Sequence, residues 1–383
     1  MNKFKFYFIV ITASVLFFSC SKKDDEVTIE PPVDFAVQYP IDIAIIEDYL
    51  KTNYIDIVNH PGFVDDQDVV IKKLVPGEVS IMSYLNADTY PKLLVRNIKM
   101  HNVKDGYNIY YLVLRPGVGI SPCNVDGVLA SYRGTYLSRS TATATSPSEL
   151  TATFFEESKY PQAPLSLYEV ITGWSEIFPQ FKSGTSKINN DGTVTHSDFG
   201  SGVMFIPSGL AYYNIGKSSI PAYSPLVFSF KLYNVERLDQ DIDGVFSFQE
   251  DKNNDGYVYD FRNTIAYPTP PTTNIDDTDT DGVPDFIDVD DDGDNYTTKL
   301  EITKPTGKVG VVVENGVAVN YGPSNYYPFD GFTIVDDPST PFDESLNSEP
   351  RGIPAYSAAG TPDYSTPTRT RIHIDNTYPI KKP

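Results

Sequence analysis

Glu169-Val170-Ile171-Thr172-Gly173-Trp174 is the stretch that decides the fold of this chain. It lies in a helix-like segment, residues 168–178, and it ends in the one Trp of the sequence. Strand-like segments stand on both sides, and loops rich in Ser, Thr and Gly separate them. The pattern predicts a β-rich domain that contains one short helix.

Five other segments accompany this stretch in a fixed order. They are 128–134 (VLASYRG), 153–158 (TFFEES), 180–184 (QFKSG), 205–212 (FIPSGLAY) and 220–232 (IPAYSPLVFSFKL). Together the six segments resemble the motifs of the FKBP family of peptidyl-prolyl isomerases. The resemblance implies an α+β fold for residues 125–237, in which a half-open antiparallel sheet wraps on one short helix near 168–178.

The resemblance also implies an aromatic substrate pocket with Trp174 as its floor. The residues implied for its walls and polar contacts are Tyr132, Phe155, Glu156, Val170, Ile171, Tyr212 and Phe228. Tyr212 would donate its hydroxyl hydrogen to the substrate backbone. Glu156 replaces the family's Asp and is one methylene longer, so we expect shifted polar contacts and reduced activity. Tyr213 replaces the family's Gly, and taken singly these aromatic residues could also be ordinary sheet core.

The chemistry of the reaction explains why such a pocket suffices. Rotation about an X-Pro amide must break its resonance, against a barrier of roughly 18–20 kcal/mol. No covalent bond forms or breaks, so catalysis needs no cofactor, only tighter binding of the twisted amide than of the planar one. The expected partners are proline-containing polypeptide segments.

Residues 239–250 fit the twelve-residue pattern of an EF-hand calcium loop. Side-chain oxygens come from Asp239, Asp241, Asp243, Ser247 and Glu250, with Gly244 at the sixth position. A second run, Asp251-x-Asn253-x-Asp255-Gly256, has Arg262 at its twelfth position, so we do not expect a good site there.

Two further loops, 277–288 and 290–301, repeat the spacing and resemble thrombospondin type 3 repeats. Their candidate calcium ligands are Asp277, Asp279, Asp281, Asp285, Asp288, Asp290, Asp292, Asp294 and Glu301. Without cations so acidic a segment should repel itself and stay extended. We therefore predict structural calcium; the alternative is a merely solvated acidic linker.

The first twenty residues predict export and a lipid anchor. Lys3 and Lys5 precede an apolar run, 6–18, that suits a signal peptide and is too short to span a bilayer. Ser19-Cys20 resembles the lipobox of bacterial lipoproteins, which implies that Cys20 is acylated and inserted in the outer membrane. The acidic run after it resembles a signal for the cell exterior, and a plain secretory signal is the alternative.

The charge of the chain bears on its partners, and the features above predict an order of segments. The net charge of −21 leaves no basic stripe for nucleic acid, which we exclude as a partner. The predicted order is a signal peptide (1–19), a tether (20–40), an N-terminal helix and hairpin region (41–124), the isomerase domain (125–237), acidic calcium-binding repeats (238–304) and an irregular, β-containing tail (305–383). Cys123 is expected to be structural.

Three functions are compatible with these features. The first is an isomerase that assists the folding of exported or surface proteins. The second is an FKBP-like binding module that has lost catalysis, and the third is a calcium-stiffened surface scaffold. Retention of the aromatic residues favours the first.

Overall fold

The computed structural model describes residues 31–304, 306–322, 324–326, 352–357, 363–364, 366 and 369–378. The predicted signal peptide, Cys20 and the first part of the predicted tether lie outside the described residues. Within them the fold is mixed, mostly sheet with few helices. The sheet, the acidic loops and the described parts of the tail belong to one compact unit that begins at Asp34.

The regular elements follow in chain order. The helices are α1 (Phe35–Thr52), α2 (Thr172–Ile177) and α3 (Thr298–Glu301). The strands are β1 (Asn53–Ile57), β2 (Val69–Lys73), β3 (Lys92–Ile98), β4 (Tyr107–Arg115), β5 (Gly127–Arg139), β6 (Leu150–Ser158), β7 (Leu165–Ser166), β8 (Thr185–Ile188), β9 (Val194–Ser197), β10 (Gly200–Ile206), β11 (Leu226–Glu236), β12 (Val311–Glu314) and β13 (Val317–Asn320).

Seven strands form an antiparallel sheet with the order β3-β4-β10-β11-β5-β6, and β7 pairs with β5. The β3–β4 hairpin of the predicted N-terminal region extends the same sheet, because β4 pairs with β10. Strands β8 and β9 form a separate hairpin, which is followed by β10.

Both faces of the central strands β4, β10 and β11 are buried, which explains why these strands are almost continuously apolar. Neighbouring residues of β10 point to opposite faces. Phe205 shares a hydrophobic cluster with Ile46 of α1, whereas Met204 shares another with Ile177 of α2. The sheet is therefore enclosed between the N-terminal helix and the short helix of the predicted pocket.

Helix α1 begins earlier than expected. Asp34 caps it by accepting a hydrogen bond from the Ala36 N–H at 2.7 Å, so residues 35–40 are helical although the sequence predicted a tether there. Helix α2 is shorter than the predicted 168–178. It begins at Thr172, because the backbone of Ile171 is extended. After Ile177 the chain continues as a 3₁₀ turn, Phe178–Gln180, which contains Pro179.

The tail is better ordered than expected wherever the structure describes it. Ile353 and Ile372 are buried in one cluster with Val245 and Ile302 of the acidic loops. The predicted hairpin around Asn315-Gly316 is present as β12–β13. Within the described residues, no helix is both long and apolar enough to cross a membrane.

Candidate functional site

An aromatic cluster lies where the pocket was predicted. The centroid of the Trp174 ring is 4.9 Å from that of Tyr132 and 5.1 Å from that of Phe228, with the rings nearly perpendicular. Phe155 packs edge-on against Phe228 at 5.6 Å. Trp174 and Phe228 are buried, whereas Tyr132 and Phe155 are partly exposed. These contacts make an apolar, partly open site on one face of the sheet.

The remaining predicted pocket residues border this cluster. Val170, Ile171 and Tyr212 are partly buried and pack against the same core. Ile171 also starts the helix, since its carbonyl accepts the Trp174 N–H at 2.9 Å. An extended segment thus turns into α2 just before the indole, which places Trp174 in the first helical turn.

A glycine and a β-bulge make room for the rings. A Cβ atom at Gly134 would lie 2.4 Å from the Phe155 ring and 2.8 Å from the Phe228 ring, so no larger residue fits between them. The pairing of β5 with β6 shifts register beside Gly134, which leaves Phe155 at the bulge. Bulges of this kind re-aim a side chain, here into the pocket.

Glu156 keeps a polar contact within the pocket. The Tyr132 hydroxyl donates to Glu156 Oε1 at 2.9 Å. Burial raises the pKa of Tyr132 to about 12, and the hydrogen bond to Glu156 adds to that rise.

Tyr213 adopts a backbone conformation that favours glycine. Its φ is 44°, in the left-handed region that side chains disfavour. The ring is stacked on Phe35 at 4.0 Å and meets Tyr223 edge-on at 5.2 Å. These contacts offset the strain of the turn that carries Tyr212.

Asp42 of α1 holds the other end of this turn, and no local signal in the sequence marks it. Its Oδ2 accepts the backbone N–H of Ser208 at 2.7 Å and the Ser208 hydroxyl at 2.6 Å. Burial raises the pKa of Asp42 to about 6, although the hydrogen bonds from Ser208 and Gln38 act to lower it. The N-terminal helix therefore fixes the Ile206–Tyr212 connection that lines the pocket.

Glu176 ties the pocket helix to the second half of the loop that starts at Asp251. Its carboxylate is 1% exposed and accepts from Arg96 Nε at 2.7 Å. Its backbone carbonyl accepts the Tyr257 hydroxyl at 2.8 Å, and Tyr259 donates to its side chain at 3.3 Å. Burial raises the pKa of Glu176, and Arg96 opposes this. Helix α2, with Trp174, is thereby fixed against the 257–259 segment.

Four acidic loops of the described chain share one backbone pattern. The residues at their fourth and sixth positions have positive φ, including the β-branched Ile242 at 66°. The sixth N–H donates to the first carboxylate at 2.7–3.1 Å: Gly244 to Asp239, Gly256 to Asp251, Gly282 to Asp277 and Asn295 to Asp290. The run from Asp251 keeps this shape despite Arg262, which pairs with Asp260 instead.

In three of the four loops the side chain of the ninth residue accepts the backbone N–H of the second residue. Ser247 accepts the Gln240 N–H, Asp285 accepts the Thr278 N–H and hydroxyl, and Thr298 accepts the Asp291 N–H. In the loop from Asp251 the equivalent bond comes from Asp276, which accepts the Lys252 N–H at 3.0 Å. Ser247 and Asp285, predicted as calcium ligands, thus have a loop-closing role.

Nine of the other predicted ligands gather in three groups. Within each group the ligand atoms lie within 4.8 Å of one another: Asp239, Asp241 and Asp243; Asp277, Asp279 and Asp281; Asp290, Asp292 and Asp294. Asp288 instead accepts the Asp290 N–H at 3.0 Å. Burial raises the pKa of Glu301 to about 9, and Asp292 adds to the rise. Among the described residues neither oxygen of Glu301 accepts a hydrogen bond. The donors in these groups and in Glu301 are all carboxylate oxygens, which fit calcium.

A separate cavity of about 420 Å³ lies on the other face of the sheet. Ser131, Arg133 and Thr135 of β5 line it, and they alternate with Tyr132 and Gly134 of the aromatic site. Tyr132 also lines this cavity, so the cavity borders the aromatic cluster.

Comparison with known proteins gives partial matches. The model of the family described as BamM C-terminal matches residues 240–342, which include most of the acidic loops and less than half of the chain. Comparison with curated proteins gives no match.

Solved structures with similarity to this chain include FKBP-type isomerases. A peptidyl-prolyl cis-trans isomerase from Pseudomonas syringae is 22% identical over 39% of this chain and 84% of its own, with a TM-score of 0.25. FkpA from Escherichia coli is 25% identical over 39% of this chain and 54% of its own, with a TM-score of 0.25. The N-terminal domain of FKBP42 from Arabidopsis thaliana is 16% identical over 33% of this chain and 86% of its own, with a TM-score of 0.24.

Proposed function

We propose that this chain is a peptidyl-prolyl cis-trans isomerase that acts on exposed X-Pro bonds of exported or surface proteins. The observation that carries the proposal is the perpendicular packing of Tyr132 and Phe228 on the buried Trp174, with Phe155 edge-on against Phe228. Aromatic residues from separate sequence motifs thus contact one another in one apolar site, which is the kind of site that the reaction needs.

The site would act by binding the twisted amide rather than by bond chemistry. A twisted amide has lost charge separation, so an aromatic pocket that excludes water favours it over the planar form. The Tyr132–Glu156 hydrogen bond fixes one wall, and Asp42 fixes the turn that presents Tyr212. Tyr212 would donate its hydroxyl hydrogen to the substrate backbone. A thousandfold acceleration requires about 4 kcal/mol, which such contacts can supply.

Replacing Trp174 with Leu is expected to lower kcat/KM for an X-Pro peptide at least tenfold. The change removes the ring that three aromatic side chains contact, and a tenfold loss corresponds to about 1.4 kcal/mol of transition-state stabilisation. The measurement is peptide isomerisation by NMR exchange or a protease-coupled assay with the purified protein.

A matched pair on β6 provides the control. Phe155→Leu should reduce the rate, whereas Phe154→Leu should not, because Phe154 lies beside Arg133 on the opposite face. An equal loss in both variants would contradict the pocket assignment. Peptide binding without acceleration in the unmodified protein would replace the isomerase with a binding module.

For the acidic region we propose structural calcium, held by the three carboxylate groups together with Glu250 and Glu301. The support is the repeated loop geometry and the buried carboxylate oxygens that accept no hydrogen bond among the described residues. Calcium accepts 6–8 oxygen ligands in flexible geometry, which suits these loops.

For location we propose a lipid anchor at Cys20 in the outer membrane, with the chain facing the cell exterior. The match of residues 240–342 to the BamM C-terminal family is consistent with outer-membrane association. Replacing Cys20 with Ser should move the protein from the membrane to the soluble fraction. Cys123→Ser is the matched control, because this cysteine is buried beside Val125 and Phe286. Membrane retention of the Cys20 variant would contradict the anchor.

A further inference from the structure

A fourth carboxylate group joins two acidic loops that are far apart in sequence. Asp243 and Glu250 of the first loop and Asp291 of the last have ligand atoms within 4.8 Å of one another. Asp291 stands at the second position of its own loop, between Asp290 and Asp292, and it is absent from their group. The spacing of the repeats assigns no ligand role to a second position.

The three carboxylates of this group are buried, and most of their oxygens accept no hydrogen bond among the described residues. They are 3%, 2% and 1% exposed in chain order. Among the described residues, both oxygens of Glu250 and both of Asp291 accept no hydrogen bond, nor does Oδ2 of Asp243. Isolated buried carboxylates are very unfavourable unless they are paired with positive charge or coordinate a metal. Two unpartnered, buried side chains therefore point into one shared space.

The two loops are already adjacent through other contacts. Lys299 Nζ donates to the carbonyl of Ile242 at 3.1 Å. Val245 of the first loop is buried in the same cluster as Ile302, which follows the last loop. In the folded chain the two loops therefore lie close enough for one ligand to join them.

We propose that Asp291 is a ligand of the cation held by the first loop, so that one divalent cation bridges the loops 239–250 and 290–301. The donors are carboxylate oxygens of Asp243, Glu250 and Asp291, the hard ligands that calcium prefers. The inference rests on the proposed binding of calcium. It adds that the first site is completed only when the last loop is folded against it.

The bridging site is tested by titrating the purified protein with calcium chloride in a calorimeter. Asp291→Asn removes one charged ligand and keeps the shape of the side chain, and it is expected to weaken one site at least tenfold. Glu250→Gln should weaken the same site. In the double variant the two losses should be strongly non-additive, because both changes act on a single cation.

Asp294→Asn is the matched control, the same substitution within the same loop. It should weaken a different site, so its loss should add fully to that of Glu250→Gln. Unchanged calcium binding by Asp291→Asn, or full additivity with Glu250→Gln, would overturn the bridging site while calcium binding by the unmodified protein stands. An unmodified protein that shows no calcium-dependent heat would overturn the calcium proposal and this inference together. Circular dichroism of each variant checks that it folds.

Discussion

Replacing Glu176 with Ala is expected to lower the free energy of unfolding by about 3 kcal/mol. The change removes a carboxylate that is 1% exposed and leaves the guanidinium of Arg96 without its partner. Removal of one member of a buried ion pair costs about 3–5 kcal/mol. The lower end applies because the Arg96 side chain retains 23% exposure and can regain some water. Chemical denaturation followed by tryptophan fluorescence measures the loss.

Two further variants separate the ion pair from a general effect of substitution. Glu169→Ala removes an exposed carboxylate just before the same helix and should change stability by less than about 0.5 kcal/mol. Glu176→Leu combined with Arg96→Met should recover much of the loss, because buried ion pairs can be replaced by apolar side chains at little cost. A double variant as unstable as Glu176→Ala would show that the tyrosine contacts, rather than the charge pair, hold the helix.

The consequence for the proposed activity follows from the position of Glu176. It lies two residues after Trp174 on α2, and its carboxylate accepts a hydrogen bond from the Tyr259 hydroxyl at 3.3 Å. Loosening this contact frees the helix that carries the pocket floor, so Glu176→Ala should also lower the isomerase rate. A stable, folded Glu176→Ala protein with the full rate would mean that the pocket does not depend on the 257–259 segment.

The local features of this molecule could be predicted from sequence. The short helix at Trp174 and the aromatic pocket residues each depend on a motif of a few residues, and the structure brings these residues together. The same holds for the loop geometry after Asp239, where the Asp and Gly spacing determines the hydrogen bonds. Asn295 adopts the positive φ that its place in the repeat requires.

The contacts between distant segments could not be predicted in this way. Asp42 lies in a helix whose first residues were predicted to be a tether, and its partner Ser208 is distant in sequence. Asp276 closes the loop from Asp251 from outside that loop. The role of Asp291 could not be predicted, because the second position of the repeat is not one of its ligand positions. Such roles depend on which loops pack together, and one sequence carries no local signal for that.

Adding calcium to the metal-free protein is expected to order residues 237–301, protect them from proteolysis and raise their melting temperature. Without a cation, unpartnered carboxylate oxygens such as those of Glu250 and Glu301 must stay buried beside other carboxylates, each at a cost of about 1–3 kcal/mol. The metal-free loops should therefore open, which couples binding to folding.

The size of the calcium effect follows from mass action. A cation that binds only the folded loops, at a hundredfold excess over its dissociation constant, stabilises them by about 2.7 kcal/mol per site. Magnesium should do so poorly, because it demands near-octahedral geometry and gives up water reluctantly. Glu301→Gln should reduce the protection at its own loop and leave the isomerase rate unchanged, since the aromatic site has other determinants. Equal proteolysis of 237–301 in calcium and in chelator would reduce the segment to an acidic spacer.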